Sequence, residues 1–563
     1  MGASEFQNKL LDRRDVLKGL FAASSLAFLT ACTNGNSSGV AGSASDASAD
    51  VVLKTYLTAP KSIDPFCAYD APGMQVTRQL FDPLTRYDPE NERIVPLAAS
   101  SFSANDDATQ FTFRLRQATF HNGEAVTSTS FKRAWERIAA PSNSARDAFG
   151  ASTASFLLQE VAGYAEFVQG SASGIDGIEC PDDQTLVVNL ATSCADFPYI
   201  TAHPALSPVP VAAVNDAEAF VSSPIGNGPF RMKRNWKAGE DIDLVPFKEY
   251  WGDTPKIDGL SFIDGDNTET VYKQFLSGRL DFCEVPIEEV SSSVSKRGQS
   301  ESSFEMSTGN HLVKMPELEV VYLALNSTNE HLGDVEFRRA LSFAIDREDI
   351  CKSIYRGVCL PADDIVPPTC PGYREGAWKS AACDLDKANE LLDKVAPRDG
   401  SDRGVELSIG YVDAGGNKEL VETLVKNFEK VGLTLKPVEY ASKDLLRAIE
   451  VGEVDIARVS WGTETPSMMR FLQPLFHSGD TGRGNVCAYA DADVDAKLDA
   501  ARSIVDDEGR ITAYQEVDDA VADACPVIPM LFYARCFAGS DQIERLDVDV
   551  LGNPAFNEVV MAS

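Results

Sequence analysis

At 563 residues the chain exceeds one ordinary core, and about two to four domains are expected. Its 44% hydrophobic and 24% charged residues are those of a globular protein. A net charge of -34 excludes the Lys/Arg surplus that nucleic-acid binding or docking on anionic lipid needs, and reads as solubility.

The N-terminus is a targeting segment over residues 1–32. Arg13, Arg14 and Lys18 are its basic part, and 19–31 is an apolar run too short to span a bilayer comfortably. It ends in Leu29-Thr30-Ala31-Cys32, which resembles the bacterial lipobox, whose Cys thiol receives a diacylglycerol. A buried helix with an incidental Cys is the plainer alternative. Arg13 to Lys18 also resembles a twin-arginine export signal, with Val16 where that signal prefers Phe, so both export routes stay open. Residues 33–50 are Ser, Gly, Ala, Asn and Asp with little to bury, a flexible tether. Twelve cysteines less Cys32 leave eleven, an odd number in an exported chain. Cys180 and Cys194, Cys351 and Cys359, Cys370 and Cys383, and Cys525 and Cys536 are neighbours in sequence, which does not establish pairing.

The folded body opens near Val51 with a strand, then Ser62-Ile63-Asp64-Pro65, then a helix through Gln75 to Phe81. Phe111 to Leu115 alternates as a strand does. Phe120-His121-Asn122-Gly123 makes a turn, and 127–138 reads as a helix with Phe131, Trp135 and Ile138 on one side. Gly226, Gly228 and Pro229 read as a tight turn before a strand. Asp334 caps a helix, and Asp346 ends it and caps the next.

Beyond Val405 the order is β-α-β-α-β. Val405 to Tyr411 alternates, Asn417 caps a helix ended by Gly432, and Leu433 to Tyr440 alternates again. Ser442 then caps a helix that Gly452 stops, and a strand starts at Val454. This argues for a mostly parallel, helix-covered sheet, with a ligand crevice beyond the carboxyl ends of its strands. Trp461 and Glu464 are expected just past such an end, with Arg458 on the strand leading in: an aromatic wall, an anion and a cation. The same residues also fit a core Trp and solvated charges.

Several blocks resemble one family. Arg114-Leu115-Arg116 with Phe120 to Thr127 is similar to the F-x-L-R…F-H-D-G-x-P-V-T signature of the family-5 extracytoplasmic solute-binding proteins, the large peptide-binding receptors of ABC importers. Ser62 to Pro65, His203 to Pro210, Pro224 to Phe230, Ser277 to Asp281 and Asp334 to Arg347 resemble further family blocks, in family order. Trp461-Gly462-Thr463-Glu464-Thr465-Pro466 resembles W-G-A-D-Y-P, with Glu for Asp.

The resemblance implies an α/β periplasmic-binding-protein-like fold: two lobes around a cleft, with an extra domain inserted in the first. Lobe I would be 51–90, 204–315 and 528–563, the extra domain 91–203, and lobe II 316–527. It implies that Glu464 pairs with a peptide's α-ammonium and Arg458 with its carboxylate. Trp461 would pack along the peptide, and the backbones of Trp461 and Gly462 would bond it as an added strand. Asp64 would face the cleft from the first lobe. The implied partners are an oligopeptide, the ABC permease and its ATPase, and the membrane through lipidated Cys32, on the outer face of the cytoplasmic membrane. A monomer with no cofactor, metal or nucleic acid is expected. A different cargo (dipeptide, nickel complex, oligosaccharide) or a peptide-signalling role are the alternatives. An enzyme is disfavoured: G-x-S-x-G, H-E-x-x-H and G-x-x-x-x-G-K-[ST] are missing, and the five His are scattered.

Overall fold

The computed structural model describes residues 50–67, 70–265, 267–481 and 483–562. The targeting segment, Cys32 and nearly all of the tether lie outside the described residues. The body is built on one 11-stranded sheet. Its strands in chain order are β1 (Val52–Leu57), β2 (Phe230–Met232), β3 (Ile242–Pro246), β4 (Gly259–Asp264), β5 (Phe282–Glu284), β6 (Leu312–Leu325), β7 (Glu406–Tyr411), β8 (Thr434–Glu439), β9 (Ile456–Gly462) and β10 (Val527–Gly539). Across the sheet they run β8-β7-β9-β6-β10-β5-β1-β4-β3-β2, with the short strand Leu360–Pro361 paired to β10. A separate four-stranded sheet is made by 99–104, 110–115, 178–182 and 185–189.

The expected parallel units are present: β7 pairs parallel with both β8 and β9. The helices between them are α1 (Asn417–Lys430) and α2 (Ser442–Glu450). Their caps differ from expectation. Gly416, at φ 87°, precedes α1, and Asn417 is its first residue, with Nδ2 donating to the Val412 carbonyl. Ala441 precedes α2, and the Ser442 hydroxyl has no partner. Asp334 and Asp346 cap as expected, accepting from Glu336 and Phe337, and from Asp349.

Two long strands, β6 and β10, tie the halves of the sheet together. Their antiparallel register breaks between Pro316–Ala534 and Val320–Phe532, so Glu317, Leu318 and Glu319 stand opposite Tyr533 alone. Such a local loss of ladder bonds is where a sheet bends.

The blocks at Phe120–Gly123 and Pro224–Phe230 meet each other. The His121 Nε2–H donates to the Gly228 carbonyl at 3.1 Å, and its Nδ1 accepts from the Gly226 N–H at 3.1 Å. Burial pushes the His121 imidazole down to about 4, so it stays neutral in this role. Gly226 and Gly228 are there for close approach: a Cβ on Gly226 would stand 1.7 Å from the Leu80 carbonyl oxygen. Asn227 bonds both the N–H and the carbonyl of Asp82 at 3.0 Å.

The Asp82 carboxyl is buried and accepts from Tyr250 Oη at 2.8 Å and Trp251 Nε1 at 2.9 Å. Burial outweighs those bonds and pushes it up to about 6. The fold thus favours the protonated form. This contribution to stability is fully present below the unfolded value of 3.8 and is lost as pH rises through about 6. Asp82→Asn stays neutral, so its stability relative to the wild type should rise by about 2 kcal/mol from about pH 4 to about pH 7. Urea midpoints at the two pH values measure it, and a gap that does not change with pH contradicts it.

All eleven cysteines after Cys32 are free thiols, ten of them buried or half-buried, and burial holds those ten protonated. The neighbours in sequence are not bridged.

Candidate functional site

The site is organised by β9. Ile456, Ala457 and Val459 are buried, and α2 delivers the chain to the strand through Gly452 at φ 72°. β9 runs further than expected, to Gly462, so Trp461 lies inside the strand. The cause is β6, which pairs antiparallel with β9 from Leu325–Ile456 to Glu319–Gly462.

The register fixes which way each peptide group points. Asn326 N–H bonds the Asp455 carbonyl, and Thr463 N–H bonds the Leu318 carbonyl, one at each end of the pairing. Hydrogen-bonded positions alternate along an antiparallel pair. The backbones of Ala457, Val459 and Trp461 therefore turn toward β6, and those of Arg458, Ser460 and Gly462 turn away. On that far side β7 pairs β9 only at Ile456 and Ala457. Among the described residues, the edge carrying Ser460 and Gly462 has no strand beside it. The Trp461 backbone, expected to bond a ligand, is engaged by β6 instead.

Side chains alternate too. Trp461 and Arg458 lie three residues apart and project to opposite faces. The Trp461 indole is half-buried and its Nε1–H donates to the Arg470 carbonyl at 2.8 Å. Arg458 is only 4% exposed. Its Nη2 donates to Tyr533 Oη at 2.6 Å, and its Nε has no partner. Burial works against the guanidinium charge, but Tyr533, Tyr355 and Glu319 around it outweigh that and hold it protonated. Tyr533 is the residue opposite the break in β6, so the cation sits at the junction of the two halves of the sheet. No one face of β9 carries both Trp461 and Arg458.

Glu464 follows the strand and is one-third exposed. Its Oε2 accepts from His203 Nε2 at 2.7 Å. His203 Nδ1 accepts the Ala205 N–H at 3.1 Å, which makes the imidazole the neutral Nε2–H tautomer. His203 in this form adds no charge beside the carboxylate. His203 was outside the expected site; the two residues are 261 positions apart, and no local pattern links them. Ser467, in the loop after Glu464, donates to the Asp196 carboxylate at 2.9 Å, and Arg510 stands 3.4 Å from the same oxygen, pinning the loop.

Asp64 is a correction. It is fully buried, and both its oxygens meet the Arg137 guanidinium, at 2.8 and 2.6 Å. It also accepts the Phe66 N–H at 2.9 Å. Arg137 belongs to the helix Ser128–Ala139 and lies over the Phe66 and Phe220 rings. A carboxylate so enclosed has no face for a ligand; it joins the 62–67 segment to that helix.

Residues 93–483 match the family described as bacterial extracellular solute-binding proteins, family 5, middle. The chain is 24% identical to the dipeptide-binding protein DppE of Bacillus subtilis over 94% of its own length and 96% of that protein's. It is equally 24% identical to the oligopeptide-binding protein OppA of the same organism, over 94% and 96%. Among solved structures it is similar to HbpA2 from Haemophilus parasuis, with a TM-score of 0.81 at 21% identity over 91% of this chain and 100% of that one. The fold is accordingly the mixed α/β, two-lobed fold of such receptors. The chain belongs to the family-5 bacterial extracellular solute-binding proteins.

Proposed function

We propose that this protein captures peptides with a free amino terminus and delivers them to an ABC-transporter permease. The observation that carries the reading is the unpaired edge of β9, with Ser460 and Gly462 turned outward and anionic Glu464 at its end. A peptide added there as a strand would place main chain against main chain, which reads most sequences alike. Its ammonium would meet Glu464, and the carboxylate of a short peptide would meet Arg458, whose planar, permanently charged head suits it. Trp461 would pack alongside. Asp64 has no part in this site. The two similar Bacillus proteins are named for dipeptide and oligopeptide binding, which agrees with a peptide cargo. Transport energy would come from the partner ATPase.

The lobes would close around the ligand by a hinge. The division into 51–90, 204–315 and 528–563, with 91–203 inserted and 316–527 as the second lobe, accords with the separate sheet inside 99–189. The break opposite Tyr533 argues that the second crossing lies a few residues past 528. The receptor would work as a monomer outside the cytoplasmic membrane, held there by lipid on Cys32, with acyl burial worth about 0.8 kcal/mol per CH2. Cys32→Ala should then leave the membrane fraction.

Melting of protein that has been unfolded and refolded, to remove carried ligand, tests the cargo. Tri- to pentapeptides at a hundred times their Kd should add about 2.7 kcal/mol. A shift with cello-oligosaccharides or nickel-histidine alone would overturn the peptide reading.

A further inference from the structure

We propose that His203 is the positioning residue of the amine site: a neutral imidazole that holds the Glu464 carboxylate in place without cancelling its charge. The inference rests on the reading of Glu464 as the partner of a ligand ammonium. Glu464 follows the last residue of β9 by two positions and is one-third exposed, so its own strand does not fix its side chain. His203 does: the 2.7 Å bond comes from a ring that is 8% exposed. The ring is itself locked. The Ala205 N–H occupies Nδ1, and Pro204 stiffens the backbone between them. That lock decides the electrostatics. With Nδ1 committed as an acceptor, Nε2 carries the ring's one proton and donates it to Glu464. A Lys or Arg in the same place would neutralise the carboxylate and repel an incoming ammonium; a neutral donor orients it and adds no countercharge. The amine site is thus made by two segments, 203–205 and 461–464, and selects free amines only while they are joined.

Calorimetric titration of the full-length protein with tri-alanine and N-acetyl-tri-alanine tests this. His203→Phe, which keeps a ring and loses the donor, should weaken tri-alanine by about tenfold and leave the acetylated peptide unchanged. His203→Gln, whose amide reaches as far as Nε2, should restore tri-alanine to within about threefold. His203→Asn, whose amide stops short, carries the same expectation as His203→Phe and replaces it if melting shows that the Phe variant does not fold. Tri-alanine affinity equal to wild type in His203→Phe or His203→Asn overturns the proposal. Glu464→Gln in the same series separates the two claims. If it weakens tri-alanine while the His203 variants do not, only the role of His203 falls. If it too binds as wild type, the amine reading of the site falls with it.

Discussion

Arg137→Leu is expected to destabilise the protein by roughly 3–5 kcal/mol, the cost of leaving a buried charge without its partner. Among the described residues, the Asp64 carboxylate would keep only the Phe66 N–H as a partner, and at 0% exposure it meets no solvent. The guanidinium also covers two rings, so packing is lost with the charge. The double variant Asp64→Leu with Arg137→Met should recover most of the loss, because a buried pair replaced by apolar groups of similar size is often close to neutral. Its folded fraction should bind peptide as the wild type does, since Asp64 contributes nothing to the cleft. Urea midpoints and calorimetry read the two halves of this prediction. A loss under about 1 kcal/mol in Arg137→Leu would mean that the pair is wetter than its burial indicates. Impaired binding in a well-folded double variant would return Asp64 to the site.

Glu464→Gln should weaken free-amine peptides by about tenfold or more, taking about 1.5 kcal/mol as the lower value of a charge-assisted hydrogen bond. Gln keeps the length of the side chain and a carbonyl for His203 Nε2–H to bond, so the 2.7 Å contact can persist while the charge is gone. The change therefore isolates the carboxylate's attraction for an ammonium from its structural tie. N-acetylated peptides, which offer no ammonium, should bind both forms alike. Unchanged affinity for the free-amine peptides contradicts the assignment.

The sequence carried the fold where local pattern and tertiary pairing agree. Alternation in 405–411 and 433–440 marked β7 and β8, and the helices α1 and α2 that follow them were legible from apolar spacing. It misjudged the end of β9 because the strand continues on account of its partner β6, which no residue in 461–462 announces. The helix starts shifted by one residue because Gly416 and Ala441 hold the pre-helical backbone, while Asn417 and Ser442 carry the side chains that usually cap. The Phe120–Gly123 and Pro224–Phe230 blocks were readable as turns; that His121 joins them needed the structure.

The candidate site was legible in part for the same reason. Arg458, Trp461, Gly462 and Glu464 lie within seven residues, so one motif holds them. What the motif could not reveal is orientation. The opposite faces of Arg458 and Trp461, and the outward turn of Ser460 in place of Trp461, depend on the register with β6. Asp64 and His203 were misread in opposite directions, one included and one passed over. Each is defined by a partner 73 or 261 positions away.

A crystal structure of the protein with a bound tripeptide tests the central claim most directly. The account predicts a peptide extended along the edge of β9, its main chain bonded to Ser460 and Gly462 and its ammonium within hydrogen-bond distance of Glu464. A peptide held elsewhere in the cleft, with the edge unpaired and its ammonium out of reach of Glu464, would contradict it.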